Sequence, residues 1–280
     1  MKAISFGEIL FDVIGDSEHL GGAPFNLAAH LSKLGNDTWI ISAIGRDDRG
    51  ARIRQAAEVL GVKTDYLQEN DFPTGYVQVL IDDQGKPTYT IHEGVAYDNI
   101  EKIDTTDLYD CFCFGTLAQR SPISQTALFS TLEKLRSEHV FYDVNLRQKY
   151  YNREIIEKSL NYASIVKLND EEVEELSNLL FDKKLSEQDF CKRLAADFDL
   201  KIVIVTRGSE GCAVYSGDKI IEVPGVKVNV ADTVGAGDAF SAAFLHKFFE
   251  TGDLELSAMF ANELGAYVAS RAGAIPEYED

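Results

Sequence analysis

Asp232-Thr233-Val234-Gly235-Ala236-Gly237-Asp238 lies between an apolar, strand-like run that ends at Val230 and a helical pattern that begins at Ala239. The small residues at 235–237 allow consecutive backbone amides to converge around a bulky anion. The start of the helix adds unpaired N–H groups and about half a positive charge. The junction therefore predicts a site for a phosphate group.

Asp238 is an unusual neighbour for a bound anion, because its carboxylate would repel it. It makes chemical sense as a general base that takes the proton of a hydroxyl attacking a phosphate. The alternative is an ordinary strand-to-helix turn whose acid complements the helix dipole. Short glycine motifs also occur by chance, so the spacing alone leaves both interpretations open.

The composition predicts one large domain. The chain has 280 residues, of which 45% are hydrophobic, and it contains six prolines and no low-complexity tract. Its 46 acidic and 27 basic side chains give a formal net charge of −19. Such a chain should not bind nucleic acid through a broad basic surface. Binding of an anionic nucleotide would need local positive charge from helix N-termini, a metal ion and a few basic side chains.

Cysteine spacing and hydropathy predict the cellular location of the protein. The cysteines at 111, 113, 191 and 212 match no four-ligand zinc pattern, so we expect buried thiols. Met1 leads directly into a predicted strand, which argues against a signal peptide, and no apolar run approaches about 20 residues. We therefore expect no membrane span and a reduced, cytoplasmic location.

Strand, loop and helix patterns alternate along most of the chain, which predicts a mostly parallel sheet covered by helices. Strands are predicted at 2–6, 9–14, 38–44, 111–115, 140–144, 165–168, 201–205, 220–223 and 226–230. Helices are predicted at 27–34, 51–60, 125–137, 154–162, 170–180, 187–198 and from 239 onward. Polar residues follow several of these strands, at 143–147, 169, 206–208 and 232–238. Because ligands bind beyond the carboxyl ends of parallel strands, we expect a single site there.

Residues 74–97 break this alternation. Two strand-like runs, 76–81 and 87–92, are joined by a predicted hairpin turn at 82–86 with no helix between them. A hairpin inserted into an α/β chain is a candidate lid or dimer arm. The alternative is an antiparallel edge of the main sheet.

The 232–238 motif resembles the D-T-x-G-A-G-D signature of the ribokinase-like (PfkB-type) carbohydrate kinases, and it lies near the C-terminus, as in that family. The resemblance extends from Gly7 to Ala274. It implies a single ribokinase-like α/β domain over residues 1–280, with helices on both sides of a mostly parallel sheet and a small β-sheet lid formed by about 9–20 and 74–97. It also implies an ATP-dependent sugar kinase with Asp238 as general base and Gly235, Ala236 and Gly237 around the transferring phosphoryl group.

The same resemblance implies a sugar site. Gly22 and Asn26 lie in Gly21-Gly22-Ala23-Pro24-Phe25-Asn26, which resembles the family's G-G-x-x-x-N sugar-binding loop; the alternative is a turn in which Asn26 caps the next helix. Asp12 resembles the family's aspartate that accepts hydrogen bonds from two sugar hydroxyls. Arg147 could hold a phosphate or a polar sugar group, or pair with a surface acid.

Two further motifs imply the nucleotide site. Asn169-Asp170-Glu171-Glu172 resembles the family's N-x-x-E motif, in which Glu172 organises water around Mg²⁺ and Asn169 contacts phosphate or those waters. These acids also suit an ordinary helix N-terminus. The nucleotide-binding T-x-G-x-x-G run is represented by Thr206, Gly208 and Gly211, and Asn262 matches a position near adenine.

Asp232 resembles the acid of the family's monovalent-cation site, together with backbone carbonyls near Val234 and in the 268–273 segment. The resemblance therefore implies ATP and Mg²⁺, and it admits K⁺, as cofactors. The five histidines fall in none of these motifs, which argues against a histidine base.

The segments 22–26, 75–79 and 95–100 most resemble fructokinases, so fructose is the expected substrate. The alternatives are 2-keto-3-deoxygluconate, ribose or a nucleoside such as adenosine; a keto acid would need extra basic residues near its carboxylate. A dinucleotide-binding dehydrogenase would need G-x-G-x-x-G after the first strand, where Gly7-Glu8 stands instead. A non-catalytic sugar-binding relative should have lost Asp238 or its flanking glycines. The exposed edge of the lid suggests a homodimer.

Overall fold

The computed structural model describes residues 1–81 and 87–278. The strands are β1 (Lys2–Phe6), β2 (Leu10–Ile14), β3 (Ser17–Gly21), β4 (Asp37–Gly45), β5 (Leu67–Asn70), β6 (Gly75–Ile81), β7 (Pro87–Ile91), β8 (Leu108–Gly115), β9 (Arg136–Asp143), β10 (Ile165–Asn169), β11 (Ile202–Thr206), β12 (Cys212–Ser216) and β13 (Lys219–Val223). The α-helices are α1 (Ala23–Lys33), α2 (Asp48–Val59), α3 (Pro122–Leu132), α4 (Arg153–Tyr162), α5 (Asp170–Phe181), α6 (Glu187–Phe198), α7 (Ala236–Thr251) and α8 (Leu254–Ala269).

A nine-stranded sheet forms the centre of the molecule, in the order β13-β12-β11-β10-β9-β8-β1-β4-β5. The strands from β11 to β5 are parallel, and β12 and β13 add an antiparallel edge. Alternate residues of one strand enter different cores. On β11, Val203 and Val205 pack in the core that contains residues of α4, α5 and α6, whereas Ile202 and Ile204 pack with α1, α7 and α8. This confirms a mostly parallel sheet covered on both faces.

A second sheet of four strands, in the order β3-β2-β6-β7, is separate from the large one. β6 and β7 are the two arms of the expected hairpin, and their predicted turn at 82–86 lies outside the described residues. β2 joins β6 in parallel and β3 in antiparallel pairing. The expectation of a small separate sheet is therefore confirmed. The antiparallel edge of the large sheet is formed by β12 and β13 instead.

Three local predictions were wrong. The predicted loop at 21–26 is already helical from Ala23, because Pro24 suits the first turn of a helix, where its missing N–H costs nothing. The helix predicted at 125–137 ends at Leu132, and β9 begins at Arg136. The alternating run at 226–230 forms no strand; its valines are exposed, and apolar alternation makes a strand only where a partner edge is available.

All four cysteines are buried and free, as expected. Among the described residues, no helix has the length and apolar character needed to cross a bilayer.

Candidate active site

The start of α1 contains two predicted sugar-site residues, Gly22 and Asn26, and the second of them contacts Asp238. Gly22 precedes the helix at φ 107°, and a Cβ there would lie 2.5 Å from the carbonyl oxygen of Glu8. This close approach requires glycine. Asn26 is buried inside the helix rather than capping it, and its Nδ2 donates to Oδ2 of Asp238 at 2.8 Å. The other amide atom, Oδ1, is buried without a protein partner among the described residues.

Asp238 lies in the first turn of α7, directly after the predicted anion-binding turn. Gly235 precedes the helix at φ 80°, and a Cβ there would lie 2.4 Å from the carbonyl oxygen of Ala274. Desolvation raises the pKa of Asp238 to about 6, while the Asn26 hydrogen bond, Lys167 and Arg147 act in the opposite direction. A carboxylate with this pKa is ionised at neutral pH and can still accept a proton readily.

A buried ion pair that the sequence did not predict lies beside Gly235-Ala236-Gly237, the predicted anion-binding turn. Lys167 Nζ lies 3.1 Å from both carboxylate oxygens of Asp143, and Ser241 Oγ donates to Oδ2 of the same carboxylate at 3.1 Å. A Cβ at Gly237 would lie 3.3 Å from Lys167 Nζ. Burial opposes the charge of Lys167, but Asp143, Glu172 and Asp238 outweigh burial and raise its pKa. A positive charge is therefore fixed beside the turn where a phosphate is expected.

Glu8 is a second missed residue. Its side chain is 4% exposed, and its Oε2 finds no hydrogen-bond partner among the described residues. Burial raises the pKa of Glu8 to about 7; Arg147 and Arg120 lower it, and Asp238 raises it further. The only sequence signal was its place after the first strand. Glu8 adds a second desolvated carboxyl group to the electrostatic environment of Asp238.

The two remaining sugar-site predictions border the same region. Asp12 on β2 faces His19 across the small sheet, and burial raises the pKa of Asp12. Arg147 is exposed and donates to the backbone oxygen of Leu146 at 3.3 Å. Its charge lowers the pKa of Glu8, Asp12 and Asp238, so it lies in the electrostatic environment of all three.

Asn169 and Glu172 form the start of α5 as a capping box. Asn169 Oδ1 accepts from the Glu172 amide at 2.8 Å, and Glu172 Oε2 accepts from the Asn169 amide at 2.8 Å. Glu172 Oε1 also accepts from the amide of Leu146 at 2.7 Å. Burial raises the pKa of Glu172, and Lys167 lowers it. Asn169 and Glu172 therefore cap the N-terminus of α5, as the alternative interpretation expected. Each oxygen of the Glu172 carboxylate still has a lone pair that could bind water.

The predicted nucleotide residues lie at the β11–β12 end of the large sheet. Thr206 ends β11 and pairs with Asn169 of β10 and with Cys212 of β12. Gly208 and Gly211 have φ values of 54° and 97°, and a Cβ at Gly211 would lie 2.1 Å from the oxygen of Val223.

Asn262 on α8 donates to that same oxygen of Val223 at 3.3 Å. A cavity of about 180 Å³ adjoins it, lined by Glu222, Val223, Pro224, Val226, Glu255, Met259, Asn262 and Glu263. The turn at Gly211 and the side chain of Asn262 are therefore brought to one place.

Asp232 ties the loop before α7 to the C-terminal segment. Its Oδ2 accepts from the amide of Gly273 at 3.2 Å, and its Oδ1 accepts from the amide of Val234 at 3.0 Å. Within residues 1–81 and 87–278, no group of three or more His, Cys, Asp and Glu side chains could hold a metal ion. A divalent cation here would take most of its ligands from phosphate and water, as Mg²⁺ commonly does.

Comparison with known proteins gives one family. The model of the pfkB family carbohydrate kinases matches residues 2–280. A fructokinase of Escherichia coli is 29% identical over 270 residues, covering 90% of this chain and 85% of that one. An ATP-dependent ribose-1-phosphate kinase of Halopiger xanaduensis is 31% identical, covering 91% and 81%. The crystal structure of a Vibrio cholerae fructokinase with fructose, ADP and calcium is similar in fold, with a TM-score of 0.84 at 22% identity over 98% of this chain and 94% of that one.

Proposed function

The chain belongs to the pfkB family of carbohydrate kinases, and we propose that it transfers the γ-phosphoryl group of ATP to a hydroxyl of fructose. The observation that carries the proposal is the hydrogen bond from Asn26 to Asp238 at the N-terminus of α7. It orients a carboxylate in the first turn of α7, directly after the Gly235 turn where we expect a phosphate. A base and an anion site side by side are what phosphoryl transfer to a hydroxyl requires.

In this mechanism, Asp238 takes the proton from the attacking hydroxyl as the new P–O bond forms. The backbone at Gly235, Ala236 and Gly237, the N-terminus of α7 and the charge of Lys167 stabilise the charge on the transferring group. Asp12, Gly22, Asn26 and Arg147 hold the sugar.

Asn169, Thr206, Gly208, Gly211 and Asn262 are proposed to bind ATP. Glu172 would hold water around Mg²⁺, and Asp232 with the 268–273 carbonyls would hold a monovalent cation such as K⁺. Mg²⁺ bound there would neutralise part of the charge of the ATP phosphates.

Charge balance supports a neutral sugar over a keto acid. Arg120 pairs with Asp98 at 2.8 Å, and Lys167 lies between Asp143 and the turn proposed for the transferring phosphoryl group, so neither buried cation is available to a substrate carboxylate. The names of two relatives, fructokinase and ribose-1-phosphate kinase, support a small sugar and add a phosphorylated one as the second candidate. Arg147, which is exposed, is the group that would meet such a phosphate.

The test is ADP release with MgATP, with and without K⁺, on fructose, ribose, ribose-1-phosphate, 2-keto-3-deoxygluconate, glucose and adenosine. Turnover that is fastest on fructose supports the proposal. Faster turnover on another sugar would overturn the choice of fructose and keep the kinase chemistry. Sugar binding by calorimetry without any ADP release would indicate a non-catalytic sugar-binding protein.

We further propose that the small sheet of β2, β3, β6 and β7 acts as a lid and pairs with a second copy. Ile14, Leu80 and Tyr89 on its strands are large apolar residues that are more than a third exposed. A monomeric mass by light scattering would contradict the dimer. The four free buried thiols support a reducing, cytoplasmic location.

A further inference from the structure

His30 lies on α1, one helical turn after Asn26 and therefore on the same face. It is fully buried, although the sequence analysis set the histidines aside. Its Nε2 lies 2.9 Å from the carbonyl oxygen of Ala274, and its Nδ1 lies 2.6 Å from the hydroxyl of Tyr278. A buried histidine with two short hydrogen bonds to the C-terminal segment holds that segment in one place.

The chemistry of these partners defines the tautomer. A carbonyl oxygen can only accept, so the proton must be on Nε2, which donates to Ala274. Nδ1 then carries a lone pair and accepts from the Tyr278 hydroxyl. Burial lowers the pKa of His30 to about 4, so the ring is neutral at physiological pH. The contact with Ala274 is therefore a fixed, uncharged hydrogen bond.

The carbonyl that His30 holds packs against the anion-binding turn. Gly235 has room for a hydrogen only, since a Cβ would lie 2.4 Å from the Ala274 oxygen and 2.7 Å from its Cα. A displacement of Ala274 towards the turn would therefore push Gly235 and the amides that follow it. The face of α1 thus contacts Asp238 through Asn26, and Gly235 through His30 and Ala274.

We propose that His30 is a positioning residue for phosphoryl transfer, which holds the Ala274 carbonyl against Gly235 and thereby aligns the anion-binding turn with Asp238. The proposal rests on the sugar kinase activity proposed above. His30 itself does not touch substrate. It keeps the turn at Gly235 aligned with the carboxylate of Asp238. Small misalignments of reacting groups lower reaction rates by large factors.

The test compares His30→Leu, His30→Gln and Lys33→Met. Glutamine can place an amide N–H near the position of Nε2 and should recover the bond to Ala274. Lys33 is the matched control. It lies on the same helix and contacts the C-terminal segment through Glu277 at 3.0 Å and through the Tyr278 ring, and among the described residues it forms no hydrogen bond with Ala274. A variant at Lys33 therefore loosens the segment without removing the bond to the carbonyl.

We expect His30→Leu to lower kcat by about tenfold or more, with the KM values for sugar and ATP within about threefold of the wild type. His30→Gln should recover most of kcat, and Lys33→Met should match the wild type. A purely structural role predicts lower thermal stability in His30→Leu with unchanged kcat well below the melting temperature, and that result would overturn the proposal.

Hydrogen exchange of the 233–239 segment gives a second readout that needs no substrate. Faster exchange there in His30→Leu, but not in Lys33→Met, supports the proposal, and unchanged exchange contradicts it. If the wild-type protein phosphorylates none of the sugars, the proposed kinase function fails, while the exchange measurement still tests the contact between His30 and the turn.

Discussion

The amide Nδ2 of Asn26 donates a 2.8 Å hydrogen bond to Oδ2 of Asp238, although the two residues are 212 positions apart. The bond occupies one oxygen of the carboxylate, and the other, which has no hydrogen-bond partner among the described residues, can accept a hydroxyl proton. It also keeps the pKa of Asp238 lower than desolvation alone would set it. Asn26 therefore both aims the proposed base and keeps it ionised.

Replacing Asp238 by Asn tests the base directly. The amide has nearly the same shape but cannot take a proton, so kcat should fall by about 10²- to 10⁴-fold while sugar binding is retained. ADP release gives kcat, and calorimetry with the preferred sugar gives the affinity. Asp253→Asn, at the exposed cap of α8, is the control and should keep full activity. Near-normal kcat in Asp238→Asn would exclude Asp238 as the base.

The pH dependence of the reaction should report the same group. Because Asp238 must be ionised to act, and its pKa is raised to about 6, kcat/KM should decline below about pH 6 and level off above it. In Asn26→Ala the stabilising hydrogen bond is lost, so the pKa of Asp238 rises and the acid limb moves to higher pH. Asn36→Ala, which removes an amide bonded to Leu31 and His246, should leave the limb in place. An identical acid limb in Asn26→Ala and wild type would contradict the assignment.

Much of the fold could be predicted because it depends on local patterns. Continuous apolar runs such as 202–205 indicate strands buried on both faces, and the structure confirms them. The wrong predictions lie in segments whose secondary structure depends on contacts with residues distant in the chain. The run at 226–230 alternates like a strand, but no strand edge of the described residues pairs with it. In contrast, β9 begins at the polar residue Arg136, because its pairing with β8 continues beyond the buried core.

The site shows the same division. Glycine-rich turns and acids that follow strands leave a local signal, and the proposed site residues at 22–26 and 232–238 were predicted from it. Glu8, His30 and Lys167 were missed, because each gains its significance from residues far away in the chain. Lys167 pairs with Asp143 and lies beside Gly237, and neither contact can be derived from spacing along one strand. For Lys167, the one signal in the sequence was a lysine inside the apolar run 165–168.

Gly235 should be intolerant of any side chain. Gly235→Ala places a Cβ within 2.4 Å of the Ala274 oxygen at a φ of 80°, so both backbone strain and a clash displace the turn. Gly252→Ala is a matched control, with a φ of 68° and nothing within 4 Å of the added Cβ. The left-handed backbone should cost both variants about 1–2 kcal/mol of stability, and the clash with Ala274 should add a further loss in Gly235→Ala alone. We expect only Gly235→Ala to lose most of its kcat as well, and equal kcat in both variants would show that the Ala274 contact is unimportant.

Variants of the Lys167–Asp143 ion pair should affect the free energy of unfolding and kcat differently. Lys167→Met leaves Asp143 buried without its cation, which should cost about 3–5 kcal/mol in urea unfolding. The double variant Asp143→Asn/Lys167→Met removes both charges, so most of that stability should return. Its kcat should stay low, because the positive charge beside Gly237 is still absent. Recovery of kcat together with stability would assign the pair a structural role alone.

Glu8 should make the protein less stable as the pH rises through neutrality. Its pKa is about 7 when folded and 4.5 as an ordinary glutamate, so the folded state binds this proton more tightly than the unfolded state. The stabilisation is complete below about pH 4.5 and is lost as the pH passes about 7, a change of about 3 kcal/mol. Glu8→Gln mimics the protonated form and should not show this loss.

Urea unfolding from pH 5 to 8 should therefore find Glu8→Gln increasingly more stable than the wild type, with Glu255→Gln as the control for removal of one exposed charge. A constant difference between Glu8→Gln and wild type across this range would mean that Glu8 is ionised throughout, and that its backbone hydrogen bond, Arg147 and Arg120 together outweigh its burial.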